Sequence, residues 1–163
     1  MSSTTTHDTL WKKIEHVRVG MLTTVDSTNG LLSRPMTSQK VDDHGLLWFF
    51  TSDLASVATN IESHPAVNVS FSAPEDSLYV SVAGNAEIVH DKAVIKAMWT
   101  PMVGAWFPEG ADDPHVALIK VHVTSAEYWD SDKSKMMQLL AMARAVVTGK
   151  PPTNIGEHKK IDV

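Results

Sequence analysis

A small closed or split β-barrel of six mostly antiparallel strands, with helices at its ends and at one crossover, is the fold class the sequence predicts. Three observations carry that expectation. Short runs of branched and aromatic residues recur along the chain, tight-turn residues separate most of them, and strands do not alternate regularly with helices as a doubly wound sheet requires. No repeat or composition shift divides the sequence, so one domain is expected over residues 1–163, with a polar and mobile C-terminal tail from about residue 150.

Thr6 to Arg18 reads as a helix, with Leu10, Trp11, Ile14 and Val17 spaced along one face and Thr6 placed to cap it. The period then changes. Val19 to Val25 is a strand, Asp26 to Gly30 supplies turn chemistry, and Leu31 to Val41 returns as a second strand. After the turn Asp42-Asp43-His44-Gly45, the apolar run Leu46 to Thr51 is a third, central strand. Asp53 to His64 carries Leu54, Val57, Ala58 and Ile61 on one helical face, with Thr51, Ser52 or Asp53 as cap and Pro65 as terminator. Ala66 to Ala73 alternates apolar with polar residues, and Leu78 to His90 is a long strand interrupted by Gly84, a position that suits a bulge. A helix follows over Asp91 to Trp99, stopped near Pro101. Met102 to Asp113 is aromatic and turn-rich. Val116 to Trp129 is the sixth strand, and Lys133 to Val147 is a final helix closed by Gly149 and Pro151-Pro152, with Met136, Met137 and Met142 as packing residues.

Composition narrows the function. A chain of 163 residues, 43% hydrophobic and 20% charged, buries a self-sufficient core. It has no cysteine, which removes disulfides, thiolate metal sites and thiol catalysis, and fits a reducing, cytoplasmic setting. No leader-like start and no bilayer-length apolar run is seen. Fourteen basic against nineteen acidic residues give a formal charge of −5, which argues against nucleic acid or an anionic membrane as partner. Between Lys40 and Lys92 there is no Lys or Arg at all. Any anion held by the first half must therefore use Arg34, Lys40, backbone N–H groups and hydroxyls.

The dinucleotide-binding, P-loop, nucleophile-elbow and zincin motifs are absent. The eight histidines include no close pair at a metal-ligand spacing, so no metal is expected, and no side chain stands out as a catalytic acid or base. One constellation does bear chemistry: Ser33-Arg34-Pro35-Met36 on the second strand, and Trp48-Phe49-Phe50-Thr51-Ser52 running into a helix. A helix N-terminus offers N–H groups and partial positive charge to a phosphate, an arginine grips it bidentately, and aromatics flank a flat ring. The same residues also suit plain capping and core packing.

The order of these pieces resembles the pyridoxamine 5'-phosphate oxidase-like flavoproteins, and within them the general stress protein 26 group. The resemblance runs from about Leu10 to the C-terminus. It rests on the Arg34-Pro35-Met36 strand, Trp48 to Thr51, Pro65-x-Val67, Tyr79-Val80-Ser81-Val82-x-Gly84-x-Ala86, Trp106-Phe107-Pro108 with Asp112-Asp113-Pro114, and Ala126-Glu127-Tyr128-Trp129. It implies a split-barrel homodimer that binds FMN, or FAD, in clefts between the subunits. Arg34 and Thr51 would hold the flavin phosphate, the ring would lie along Met36 to Gln39, and the partner would contribute from the strand around Tyr79. The cofactor-binding set it points to is Arg34, Pro35, Met36, Ser38, Gln39, Phe50, Thr51, Ser52, Ser56, Val57, Tyr79 and Trp106.

The chain departs from that pattern at the phosphate. The family's serine, variable residue and lysine fall on Ala55, Ser56 and Val57, so the lysine is missing, and a family lysine on the second strand is Gln39. Losing one charge-assisted bond of roughly 1.5–3 kcal/mol weakens FMN by about ten- to a hundredfold. Asp53, expected in the same helical turn, would repel a phosphate further. The arginine-rich ending of true pyridoxamine phosphate oxidases has no counterpart in Ile155 to Lys160, which argues against that vitamin substrate. The expectation is a cytoplasmic, stress-related flavin protein, a flavin-dependent oxidoreductase with a small-molecule redox partner. Two alternatives stay open: a non-enzymatic dimer that has lost tight flavin binding, and a haem- or deazaflavin-binding relative.

Overall fold

The structure is a computed structural model of the chain and describes residues 10–41, 45–131, 135–151 and 157–162. A helix, α1, covers residues 10–14 and ends in a turn, so Val17 and Arg18 lie beyond it and the expected cap Thr6 lies outside the described residues. Strands β1 (Val19–Val25), β2 (Leu31–Val41) and β3 (Leu46–Ser52) follow as a meander. The β1–β2 turn is closed by the Asp26 carboxylate, which accepts hydrogen bonds from the Thr28 and Gly30 N–H groups, and Asn29 takes a left-handed φ of 62°.

Helix α2 (Ser56–Ser63) leads to β4 (Ala66–Ala73), a 3₁₀ turn (Pro74–Asp76) and β5 (Leu78–Val89). Helices α3 (Lys92–Met98) and α4 (Pro101–Trp106) precede the long β6 (Val116–Asp130), α5 (Lys135–Thr148) and β7 (Glu157–Asp162). The sheet order is β3-β2-β1-β4-β5-β6-β7, and β3 also pairs with β6, which closes the first six strands into an antiparallel ring. The predicted six-stranded barrel is therefore present.

Closure depends on how β6 shares one edge. Residues Val116 to His122 pair with Leu46 to Ser52 of β3, and Ser125 to Asp130 pair with β7. Across the other edge, β5 follows β6 through a register shift at Ala83/Gly84. Gly84 is the expected bulge, and a side chain there is impossible without rearrangement: a Cβ would stand 2.3 Å from the His122 carbonyl oxygen.

Two apolar clusters result. Leu22, Phe49, Val69, Val82, Ile119 and Val121 fill the barrel, where α1 adds Leu10 and Ile14 and α2 adds Val57 and Ile61. A second cluster lies against the outer side of β3 and β6 and joins Phe50, Ile95, Val103, Val116 and Leu118 beneath α3 and α4. Alternation explains the division, since neighbouring strand residues such as Phe49 and Phe50 point to opposite faces.

Four expectations need correction. The tail is not uniformly unstructured: Glu157–Asp162 forms β7, burying Ile161, stacking His158 on the Trp129 ring at 5.0 Å and pairing His158 with Glu127. A polar segment becomes a strand here because β3 leaves the second half of the β6 edge unpaired. Pro101 does not only stop a helix; it is the first residue of α4, where its missing N–H costs nothing, with the Thr100 hydroxyl accepting from the Val103 N–H. The helix expected from Asp53 begins at Ser56 with Ala55 as its cap, so Leu54 is off the apolar face and 73% exposed. Met142 is also exposed rather than packed, whereas the side chains of Met136 and Met137 lie outside the described residues.

Candidate functional site

A cleft of about 240 Å³ opens where β2 runs past the second apolar cluster. Pro35, Met36, Thr37 and Gln39 form one wall; Phe50 and Val103, both buried, form the floor; Thr100, Met102, Trp106, Phe107 and Arg18 complete it. The aromatic side is built by mutual packing: Phe50 meets Trp99 edge to face at 5.6 Å, and Phe107 lies 6.4 Å from Phe50. Trp106 is 80% exposed at the rim. The N-capped, proline-started α4 is what carries Val103 and Trp106 there.

Arg34 sits on the same strand immediately before this wall. Its Nη1 donates to the Thr24 hydroxyl at 3.0 Å, and the Asn60 side-chain amide donates to the same oxygen at 3.2 Å. Thr24 is fully buried, so β1, β2 and α2 are tied together at one hydroxyl. Partial burial pulls the Arg34 guanidinium below its ordinary value, because desolvation disfavours its charge. No carboxylate pairs with Arg34 among the described residues.

The end of β3 has a different arrangement. Thr51 is buried, and its hydroxyl donates only a long 3.4 Å bond to the Ser52 carbonyl. Ser52 Oγ accepts from the Leu54 N–H at 3.2 Å, making a turn before α2 rather than its cap. Ala55 caps α2 with no side-chain bond, and the first turn holds no acid; the Ala58 N–H donates to the Ala55 carbonyl at 3.0 Å, which leaves the Ser56 and Val57 N–H groups to bind an anion. Asp53 is not in that turn. It is held by His115 at 2.9 Å and His90 at 3.4 Å, and the His115 hydrogen bond, with His90 adding to it, draws its carboxyl below the usual range.

The predicted residues thus separate. Pro35, Met36, Gln39, Phe50 and Trp106 meet in the cleft. Arg34 faces Thr24 and Asn60 beside it; Ser38 is on β2 but not in the lining; Thr51, Ser52 and Ser56 lie along the β3–α2 connection. Val57 is buried in the barrel cluster, the plain packing role its apolar neighbours suggested. Tyr79 is across the sheet on β5, half exposed and opposite Trp129. Sequence reasoning missed Thr24 and Asn60, whose ordinary surroundings carry no signal, and Arg18, which reads as a helix end. It also missed the Asp53–His90–His115 cluster, whose members are far apart in the chain. Among the described residues no group of three or more His, Asp or Glu is placed to hold a metal ion. No described helix is long and apolar enough to cross a membrane.

Comparison with known proteins bears on this arrangement. Residues 5–153 match the family model described as pyridoxamine 5'-phosphate oxidase like. The Neurospora crassa protein bli-3 is 32% identical over 146 residues, covering 83% of this chain and 70% of that protein. A general stress protein 26 candidate from Jannaschia sp. CCS1 superposes over 100% of both chains with a TM-score of 0.74 and 28% identity. The general stress FMN/FAD binding protein of Xanthomonas citri is 30% identical, with a TM-score of 0.69 over 78% of this chain and 90% of its own. A six-stranded ring, an Arg-Pro-Met strand along a cleft and a match over most of the sequence agree: the chain belongs to the pyridoxamine 5'-phosphate oxidase-like family.

Proposed function

We propose that the protein binds a flavin, FMN or FAD, with its phosphate near Arg34 and its ring along Pro35 to Gln39, and works in the cytoplasm as a homodimeric, stress-related redox protein. The observation that carries this reading is the sequence of environments along one strand. Arg34 is partly desolvated, has no carboxylate partner among the described residues and donates one hydrogen bond to Thr24; four of the next five residues, Pro35, Met36, Thr37 and Gln39, border an aromatic cleft. A strand rises roughly 3.3 Å per residue, so Pro35 to Gln39 spans roughly 13 Å, ample for a fused ring system. The residues fit the group: a guanidinium with donors to spare, the under-used Thr51 hydroxyl and the acid-free first turn of α2 suit a phosphate. Asp53, occupied by two histidines, opposes it less than its sequence position suggests. A bound flavin would supply the hydride or electron transfer; the chain's share is to hold the phosphate, orient the ring and exclude water.

Purified protein is expected to be yellow, or to take up added FMN or FAD, and to release a fluorescent flavin on denaturation. Arg34→Gln should weaken FMN about ten- to a hundredfold. Colourless preparations that bind neither flavin would overturn the reading. They would favour a second one, a dimer that has lost tight flavin binding, for which the observation is Val57 packed in the core where the family carries its lysine. Val57→Lys, in protein whose circular dichroism shows the native fold retained, separates the two: a large gain in FMN affinity means a surviving cleft, and no gain a changed one.

A further inference from the structure

Between the end of β5 and the start of β6 the chain makes one excursion, residues 90–115, which carries α3 and α4 and so builds one side of the cleft. It is stapled to itself. The Lys92 ammonium donates to the Asp113 carbonyl at 2.5 Å and the Lys96 ammonium lies 2.7 Å from the Asp112 carboxylate, so its outgoing and returning legs are joined. Its apolar attachment to the barrel runs through Ile95 and Val103, packed with Phe50, Val116 and Leu118. A polar attachment sits at its two feet. The excursion begins at His90 and ends at His115, and both imidazoles reach one carboxylate just beyond β3: His115 Nδ1 is 2.9 Å from one oxygen of Asp53, and His90 Nε2 is 3.4 Å from the other. The Asp53 N–H also donates to the His115 carbonyl at 3.0 Å, which fixes the backbone that carries the carboxylate. Both imidazoles are half exposed, open to exchange of protons with water.

We infer that Asp53, His90 and His115 form a proton-operated latch on the α3–α4 excursion, gripping both of its feet when the imidazoles carry charge and easing when they lose it. Histidine is the side chain whose charge ordinarily changes between pH 5 and 8. Asp53 stays ionised through that range, its carboxyl drawn below the usual value chiefly by the His115 hydrogen bond. In the acidic half of the range the feet are held by ion pairs; in the alkaline half a neutral imidazole keeps at most a hydrogen bond. The other charged groups at the feet are committed elsewhere. The Asp91 carboxylate accepts from the Ala93 and Val94 N–H groups, Asp113 Oδ1 accepts from the His115 N–H at 2.8 Å, and Glu87, three residues before His90, pairs with Lys120 and His122. Because the excursion carries Thr100, Met102, Val103, Trp106 and Phe107 of the cleft, the latch sets how often that wall opens, and access to the cleft widens as pH rises. The inference holds whatever ligand the cleft takes.

Hydrogen exchange of the full-length protein, read by mass spectrometry at about pH 5.5 and about pH 8 and expressed as protection factors, tests the latch. Protection of Lys92–Trp106 should be about two- to tenfold greater at the acidic value, the size of one or two partly exposed ion pairs, while β1 and β4 change less. Asp53→Asn should lower protection of that segment at the acidic value and remove its dependence on pH. The double variant His90→Gln with His115→Gln keeps a side-chain amide at each foot without the charge, and should hold the segment at its alkaline level of protection at both values. Protection that does not vary with pH in the unaltered protein overturns the inference, as does a dependence that survives in either variant. So does a gain shared equally by β1 and β4, because acid would then be stabilising the whole molecule rather than this wall.

Discussion

The barrel interior and the aromatic annex beneath α3 and α4 are both apolar, but they are built by different rules. Inside the ring, Leu22, Phe49, Val69, Val82 and Ile119 come from five strands and are locked by backbone pairing on both sides. In the annex, Phe50, Val116 and Leu118 supply one strand face, and the other half comes from two short helices, with Trp99 and Phe107 only partly buried. The first region is enforced by closure of the sheet. The second is held by side-chain packing and two N-caps, and it supplies Phe50, Val103 and Phe107 to the cleft opposite the β2 wall. A stable frame beside a looser wall suits a site that must admit a ligand.

Removing one side chain from each region breaks the comparison most directly. Phe49→Ala should cost about 3–5 kcal/mol and lower the midpoint of the whole denaturation transition, since the cavity lies where six strands meet. Ile95→Ala, in the fully buried heart of the annex, should cost about 2–4 kcal/mol. Its effect should be uneven, with hydrogen exchange accelerating in Lys92–Met98 and Pro101–Trp106 before β1 and β4. Uniform acceleration across the barrel would show that the two regions unfold as one.

A smaller effect sharpens the boundary between them. Asp53 joins the end of β3 to His90 after β5 and to His115 before β6. Its folded-state carboxyl is lowered, chiefly by the His115 hydrogen bond, so the native state favours the charged form. That contribution is fully present above the usual carboxylate value near 3.8 and is lost as pH falls through the lower folded value. The stability difference between the unaltered protein and Asp53→Asn should therefore shrink as pH falls below that value in acid denaturation. A difference that fails to shrink below that value would contradict the assignment.

Much of the fold was legible because strands announce themselves locally. Val19 to Val25, the Asp26–Gly30 turn and the Gly84 bulge each carry their reason within a few residues, and each is where the periodicity puts it. What escaped depends on distant partners. β7 is polar and becomes a strand only because β6 offers it an edge; α4 begins at a residue that by itself reads as a helix stop. The candidate site divides the same way. Arg34, Pro35, Met36 and Phe50 stood out as a pattern, but the Thr24 hydroxyl that fixes Arg34, the Asn60 amide beside it and the Arg18 rim are ordinary residues brought together by topology.

The division of the β6 edge between β3 and β7 also bears on how the molecule keeps to itself in solution. An unpaired strand edge is a template on which another chain can add, and Ser125 to Asp130 would be such an edge, with the half-exposed Trp129 at its centre. β7 covers it, and its exposed Lys159 and Lys160 make a charged selvedge that finishes the sheet and presents a margin on which a further strand finds poor purchase.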